Sequence, residues 1–417
     1  MHAHPHTRSD ARETSPFEFV PIMGAAPGLG AATEVVYEWW NVELVRTLYK
    51  QLGAEERDAK ACVAKEAVPW KHPHTGEMRT RPTRSENLVR KKHERRERLR
   101  LMCERFDDIE PDAADVALHP DGRPEARGKL RFHFKGKMRC VRVEYARMKK
   151  SGIGRRYPKN VPAILRKGNA FMGEQDRLLA ATAQGMSKDV RKFCLPFLHD
   201  IDLKACHPSI LCSKAKLYGV KVPGLDWYVA HTDACRQQVM EMHGVTKDNA
   251  KTLFTLLLYG GSYLHRIKMW GRTGVEATPI AYVERLEKEL EMLRDVVMAR
   301  TDLEYLVHPI FASEKQRTSN FNKRMIKSDE EALRSTWSQI TQGWEDDALL
   351  CIQKAVEAQG LLVHSLMFDG LMVYHDPSID LAVAMDAASA LILSDTGMAL
   401  ALEEKELFDQ ERMDALV

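Results

Sequence analysis

Between Leu195 and Leu217 the chain reads LPFLHDIDLKACHPSILCSKAKL. Apolar and polar residues alternate as far as Leu203, and beyond a His-Pro pair the pattern turns to helical spacing. A strand that feeds straight into a helix fixes the course of the backbone at that point. This one carries two carboxylates at its end, and alternation places Asp200 and Asp202 on one face. Acids grouped in this way repel each other unless a cation or a basic partner joins them. An isolated Asp-x-Asp most often marks a solvated strand end, so other segments have to decide.

The chain has 417 residues, long enough for two to four lobes around a substantial core. Hydrophobic residues make up 44% and charged residues 29%, the balance of a soluble globular protein. No apolar run is long enough to cross a bilayer, and the first residues lack the apolar centre of a signal peptide. The eight cysteines are scattered with no C-x-x-C pair, which fits free thiols in a reducing intracellular compartment better than a disulfide framework or a structural zinc site. His2, His4 and His6 read as part of a polar leader.

Net charge is only +3, but its distribution is uneven. From Arg79 to Arg105 there are eleven Lys or Arg against four Glu. That segment reads as a helix opened by Ser85, and its positive excess suits contact with phosphates. Helical spacing predicts a helix from Glu34 to about Ala67, and KLRFHFKGKMRCVRVEYARM predicts a hairpin turning at Gly136. Further on, strands are expected at Leu195–Leu203, Leu361–Phe368 and Leu371–Tyr374. Helices are expected at 208–219, 247–260, 278–300, 329–358 and about 378–394.

Two more segments bear on the acids. In VTKDNAKTLFTLLLYGGS, Lys247 and Lys251 share a helix face, Tyr259 follows near that face, and Gly260-Gly261 close the helix. Cations followed by an aromatic suit a phosphate tail and a stacked base, although a solvated amphipathic helix has the same spacing. In LLVHSLMFDGLMVYHD, Asp369-Gly370 joins two β-rich runs, the strongest short hairpin signal. Asp369 either serves that turn alone or brings a second carboxylate beside the Asp202 strand. Two carboxylates on adjacent strands suit a pair of divalent ions at a phosphoryl-transfer site.

The order of these segments resembles the polymerase module of family A DNA polymerases, from about Gly152 to Leu407. GIGRRYPKNVPAIL resembles that family's T-G-R segment, with Arg155 on its arginine. KDVRKFCLP resembles the stretch before the first catalytic strand, with Arg191 on one of its arginines. DLKACHPSIL stands in the place of motif A, with Asp202 as its aspartate, and also resembles the family B motif. KDNAKTLFTLLLYGG resembles motif B: Lys247 replaces its arginine, while Lys251, Tyr259 and Gly260 match. TQGWEDDALLCIQKAV aligns Gln342, Gly343 and Asp347 with a further family segment. LMFDGLMV resembles motif C, with Asp369 as its aspartate; Asp376 is the alternative. The sequence departs from the family at His207 (glutamate there), at Thr255-Leu256 (Phe-Gly) and at Gly370 (glutamate). The resemblance does not reach residues 1–130.

The resemblance implies an α+β right-hand polymerase fold with an antiparallel palm sheet, helical fingers and a mostly helical N-terminal thumb-like lobe. The expected division is a leader (1–33), a basic template-gripping lobe (34–150), palm (151–220), fingers (221–328) and palm again (329–417). It implies a DNA polymerase that extends a primer 3′-hydroxyl with dNTPs on a DNA primer–template, with RNA as an alternative template or primer. No proofreading exonuclease is expected. Asp202 and Asp369, with the Leu203 carbonyl and Asp200 as further candidates, would hold two Mg²⁺ ions, for which Mn²⁺ can substitute. Lys247 and Lys251 would meet the triphosphate, Tyr259 would stack at the insertion site, and His207 would lie under the sugar. Arg155, Arg191 and Gln342 would contact primer–template. The rival readings are a primase or phage-type RNA polymerase, a non-catalytic nucleic-acid-binding module, and a scaffold with chance matches.

Overall fold

The computed structural model describes residues 34–63, 69–71, 78–80, 84–107, 138–147, 153–159, 161, 163–166, 177–271, 278–318, 326–405 and 407–409. The expected leader, the three N-terminal histidines and the Gly136 turn lie outside these residues. In chain order the elements are β1 (Glu34–Asn41), α1 (Val42–Val63), β2 (Pro69–Lys71), β3 (Met78–Thr80), α2 (Arg84–Asp107), β4 (Met138–Arg147), β5 (Arg156–Lys159), β6 (Ala163–Arg166) and β7 (Arg177–Ala180). Next come α3 (Lys188–Cys194), β8 (Leu198–Leu203), α4 (Cys206–Leu217), α5 (Pro223–Ala230), α6 (Thr232–His243), α7 (Lys247–Leu258), α8 (Tyr263–Gly271), α9 (Ala281–Met298) and α10 (Glu304–Lys315). The last are α11 (Asp329–Ala358), β9 (Val363–Leu366), β10 (Gly370–Tyr374), α12 (Leu381–Thr396) and β11 (Leu402–Lys405). The chain is therefore mixed α and β, with small antiparallel sheets.

The helix expected from Glu34 begins only at Val42, because EVVYEWWN forms a strand. β-Branched and aromatic residues favour that state, and burial alternates through Val36, Glu38 and Trp40. Glu38 can be buried because it is bonded. It accepts from Tyr145 Oη at 2.8 Å, from the Ala183 amide at 2.9 Å and from Trp40 Nε1 at 3.3 Å. β1 pairs with β4, and β4 with β5, making a three-stranded sheet. The helix α2 lies where its charge pattern puts it, but part of its basic face is engaged. Lys92 pairs with Glu55 and Arg96 with Glu56, both on α1, and Arg95 pairs with Asp189 on α3.

A four-stranded sheet in the order β11-β8-β10-β9 sits at the centre of the second half. Its inner strand β8 is the predicted Asp200–Asp202 strand, shortened at the front because Leu195 caps the preceding helix and Pro196–Phe197 form a turn. Leu198, Ile201, Leu203, Leu371 and Val373 are all within the core. Behind the sheet, α11 runs thirty residues, opened by a capping box in which Ser328 and Glu331 bond each other's backbone amides. Its Trp337 donates to the Leu258 carbonyl at 2.8 Å, which ties the end of α7 to the sheet's backing helix.

Candidate active site

The register of β8 against β10 sets Gly370 opposite Asp202. Asp369 therefore stands at the hairpin tip beside the Asp202 strand end, and its carbonyl accepts from the Leu203 amide at 2.8 Å. This approach requires glycine at 370. A Cβ there would lie 2.0 Å from the Ile201 carbonyl oxygen and 2.8 Å from the Asp202 Cα. The turn from β8 into α4 passes through Ala205, whose φ of 46° places a non-glycine residue in the left-handed region next to the acids. Such backbone costs of order 1–3 kcal/mol and is held by its surroundings.

Asp202, Asp369, His207, Lys251 and Tyr259 line one cavity of about 960 Å³, together with Leu203. Lys251 and Thr255 on α7 and Tyr259 at its C-cap recur every four residues and present one face to it, while Leu253, Phe254 and Leu257 are buried behind. The predicted cap holds: Gly260 has φ 78°, and its amide and that of Gly261 close the helix end. Lys247 is not a lining residue. Its side chain is 71% exposed and lies 3.9 Å from Asp233.

Asp200 and Asp202 are both buried. Lys405 of β11 sits against the Asp202 carboxylate. Arg191 lies 3.7 Å from Asp200 and donates to the Met186 carbonyl at 2.9 Å. Burial raises the Asp200 carboxyl above its usual range, and Arg191 and Lys405 partly oppose the rise. Arg191 is thus placed to hold Asp200. Asp376, the alternative to Asp369, instead accepts from the amide and hydroxyl of Ser378 in a turn.

His207 meets Tyr259 directly, its Nε2 lying 2.8 Å from the phenolic oxygen with the two rings edge to face. Burial, and secondarily Arg155, push the imidazole down to about 3, so it is neutral near pH 7. Below this pair, Glu345 of α11 forms a two-point ion pair with Arg155, whose guanidinium also lies over the Phe368 ring at 4.8 Å. Burial raises Glu345 to about 7 despite Arg155. Gln342 donates to Ser338 at 3.1 Å. Arg155 and Gln342 therefore stand near the predicted site but are bonded within the protein.

The sequence pattern did not single out Glu345, Glu403 or Lys405. The signal for Glu345 was the run Glu345-Asp346-Asp347 inside an amphipathic helix, since buried carboxylates need cations. Asp346 takes Arg147 and Arg156. Cys206, His207 and Glu345 could also gather a metal ion, their ligand atoms lying within 4.8 Å of one another. Sulfur and imidazole suit zinc rather than magnesium, and Arg155 and Tyr259 already engage two of the three groups. The carboxylates Asp202 and Asp369 are the hard oxygen donors that suit Mg²⁺.

The His207 environment has a measurable consequence. A histidine with a depressed folded pKa leaves the native state binding fewer protons than the unfolded one. Stability is then complete above about pH 6.5 and falls as pH drops through the window toward 3. Denaturation at pH 7 and pH 5 should show a larger loss for the native chain than for His207→Gln, by about 2 kcal/mol. Equal losses would mean that His207 titrates normally in the folded chain.

No family model matches the chain. Among curated proteins, 194 residues are 26% identical to "Putative helicase V13" of Sputnik virophage, covering 46% of this chain and 22% of that protein. The chain thus spans about a fifth of the length of this curated relative. Among solved structures, the POL domain of Pol1 from M. smegmatis, in complex with DNA primer-template and dNTP, superposes with a TM-score of 0.48 at 11% identity. The superposition covers 90% of this chain and 67% of that one. At that score the likeness does not by itself show a shared fold.

Proposed function

We propose that the chain is a template-directed nucleotidyltransferase: a DNA polymerase that adds dNTPs to a primer 3′-hydroxyl with two Mg²⁺ ions. The observation that carries this reading is the β8–β10 register. It brings Asp202 and Asp369, far apart in sequence, to one cleft that Lys251 and Tyr259 also line. On this reading β8 to β11 form the palm, 221–328 the fingers and 34–150 a thumb-like lobe.

When bound, the ions would lower the pKa of the hydroxyl and neutralise charge on the triphosphate and leaving pyrophosphate. The protein's part is placement. Asp202 and Asp369 hold cations at adjacent strand ends, with Leu203 alongside. Lys251 reaches across from α7 to the phosphates and gives a proton to the leaving group. Tyr259 offers its ring to the incoming base. His207, bonded to Tyr259, crowds the sugar. Arg191 steadies Asp200, and Arg155 steadies the base of the His207–Tyr259 pair through Glu345.

Primer extension on DNA and RNA templates, with dNTPs and NTPs supplied separately, tests the proposal. Metal-dependent extension with dNTPs is expected. Binding of primer–template without incorporation under any combination would make this a nucleic-acid-binding module, and primer-independent synthesis would make it a primase or RNA polymerase. His207→Ala should shift the ratio of kcat/KM for dNTP and NTP toward ribonucleotides, because steric rejection can be worth several kcal/mol. A constant ratio with both substrates slowed would give His207 a structural role alone.

A further inference from the structure

β11 borders β8 on the side away from β10, and its register pairs Glu403 with Asp202 and Lys405 with Asp200. Directly opposed residues of an antiparallel pair project from one face, with Cβ atoms about 4.5–5.5 Å apart. That face therefore carries Asp200, Asp202, Glu403 and Lys405 together. Glu403 and Lys405 line the same cavity as Asp202 and Asp369.

Three observations separate Glu403 from an ordinary strand acid. Its carboxylate has no hydrogen-bond or ion-pair partner among the described residues, whereas its neighbour Glu404, on the opposite face, is bonded to His199 Nδ1 at 2.6 Å. A cationic group already seats on this face, since the Lys405 ammonium lies against Asp202. The other flanking strand has nothing to add, because a side chain at 370 would collide with the backbone of β8. A Mg²⁺ ion takes six oxygens, so one aspartate leaves most of its sphere to be filled.

We propose that Glu403 is a further carboxylate ligand of the divalent cation held at Asp202. This rests on the reading of Asp202 and Asp369 as a cation site. It makes β11 part of the catalytic centre, with acids on three neighbouring positions across the sheet: the β9–β10 turn, β8 and β11.

The test is direct cation binding by the full chain, with Mn²⁺ as the probe and free Mn²⁺ followed by electron paramagnetic resonance, without primer or nucleotide. Asp202→Asn should remove the site. Glu403→Gln should weaken Mn²⁺ binding roughly tenfold or more, as loss of a group supporting a metal site does. Glu404→Gln removes the same charge from the opposite face and should change it little. Native affinity in Glu403→Gln, with binding lost in Asp202→Asn, would overturn the role of Glu403 and leave the cation site standing. Equal weakening by Glu403→Gln and Glu404→Gln would reduce the effect to net charge and also overturn it. Mn²⁺ binding untouched by both Asp202→Asn and Asp369→Asn would remove the cation site itself. Thermal unfolding of each variant establishes that it is folded.

Discussion

Replacing Asp202 or Asp369 by asparagine should abolish nucleotide incorporation and leave primer–template binding nearly unchanged. Both side chains are acids at strand ends facing one cleft, and asparagine keeps their shape while removing the charge that holds a cation. Charge stabilisation by a bound ion is worth several kcal/mol in the transition state, so a loss on the order of a thousandfold or more is expected. The two variants should differ in stability. Asp202 is buried against Lys405, whose side chain is 40% exposed, so Asp202→Asn removes the carboxylate in contact with a half-buried ammonium and leaves it only the charge of Asp200 across the strand pair. Asp369 forms no ion pair among the described residues, and its replacement should leave the melting temperature close to native. Near-normal extension by either variant, with binding intact, would refute the assignment of that carboxylate.

Lys251→Ala should slow extension by about a hundredfold at subsaturating nucleotide, the loss that removing one preorganised donor produces. Template affinity should be nearly unaffected. Lys251 lies exposed on the face of α7 that lines the cleft, and its ammonium has no ion-pair partner among the described residues. The substitution should therefore cost little stability, since exposed positions away from special features rarely do. Lys247→Ala, one turn earlier and outside the cavity, should have a much smaller effect on rate. Equal losses in the two variants would show that α7 contributes a diffuse positive field, and an unchanged rate in Lys251→Ala would take that lysine out of the site.

The strand–helix junction at Asp202, the Asp-Gly hairpin and the capped α7 were legible because each rests on local chemistry: alternation, a turn pair and a glycine cap. The helices over 247–260, 278–300 and 329–358 followed from period alone. The strand at Glu34 was misread because VVYEWWNVELV satisfies both periods over a short window, and only pairing with β4 settles it. Lys247 shares a helix face with Lys251 but is not among the cavity-lining residues, since periodicity reports which side of a helix a residue lies on, not how far along it the cleft extends. Gln342 bonds Ser338 four residues earlier on its own helix, a spacing that can be read in the sequence, whereas Glu345 and Asp200, the partners of Arg155 and Arg191, could only be found in three dimensions. Glu403 was invisible for the same reason: its meaning comes from lying opposite Asp202 on a strand about two hundred residues later.

The acids of α11 have a practical consequence for anyone shortening this chain. Arg147 lies in the N-terminal segment and Arg156 just beyond it, and both hold Asp346, while β4 and β5 are hydrogen-bonded across the same junction. A fragment starting at residue 151 would keep every motif that suggested a polymerase. It would nevertheless strip β5 of its partner strand and take one of two cations from a carboxylate that is 1% exposed. Arg156 would remain on Asp346, so the loss is smaller than the roughly 3–5 kcal/mol of a buried carboxylate left bare, but it adds to the unpaired edge of β5 in a fold whose whole stability is on the order of 5–15 kcal/mol. Insolubility of such a fragment would thus report a faulty cut rather than a faulty assignment, and expression trials should keep β1 and β4 attached.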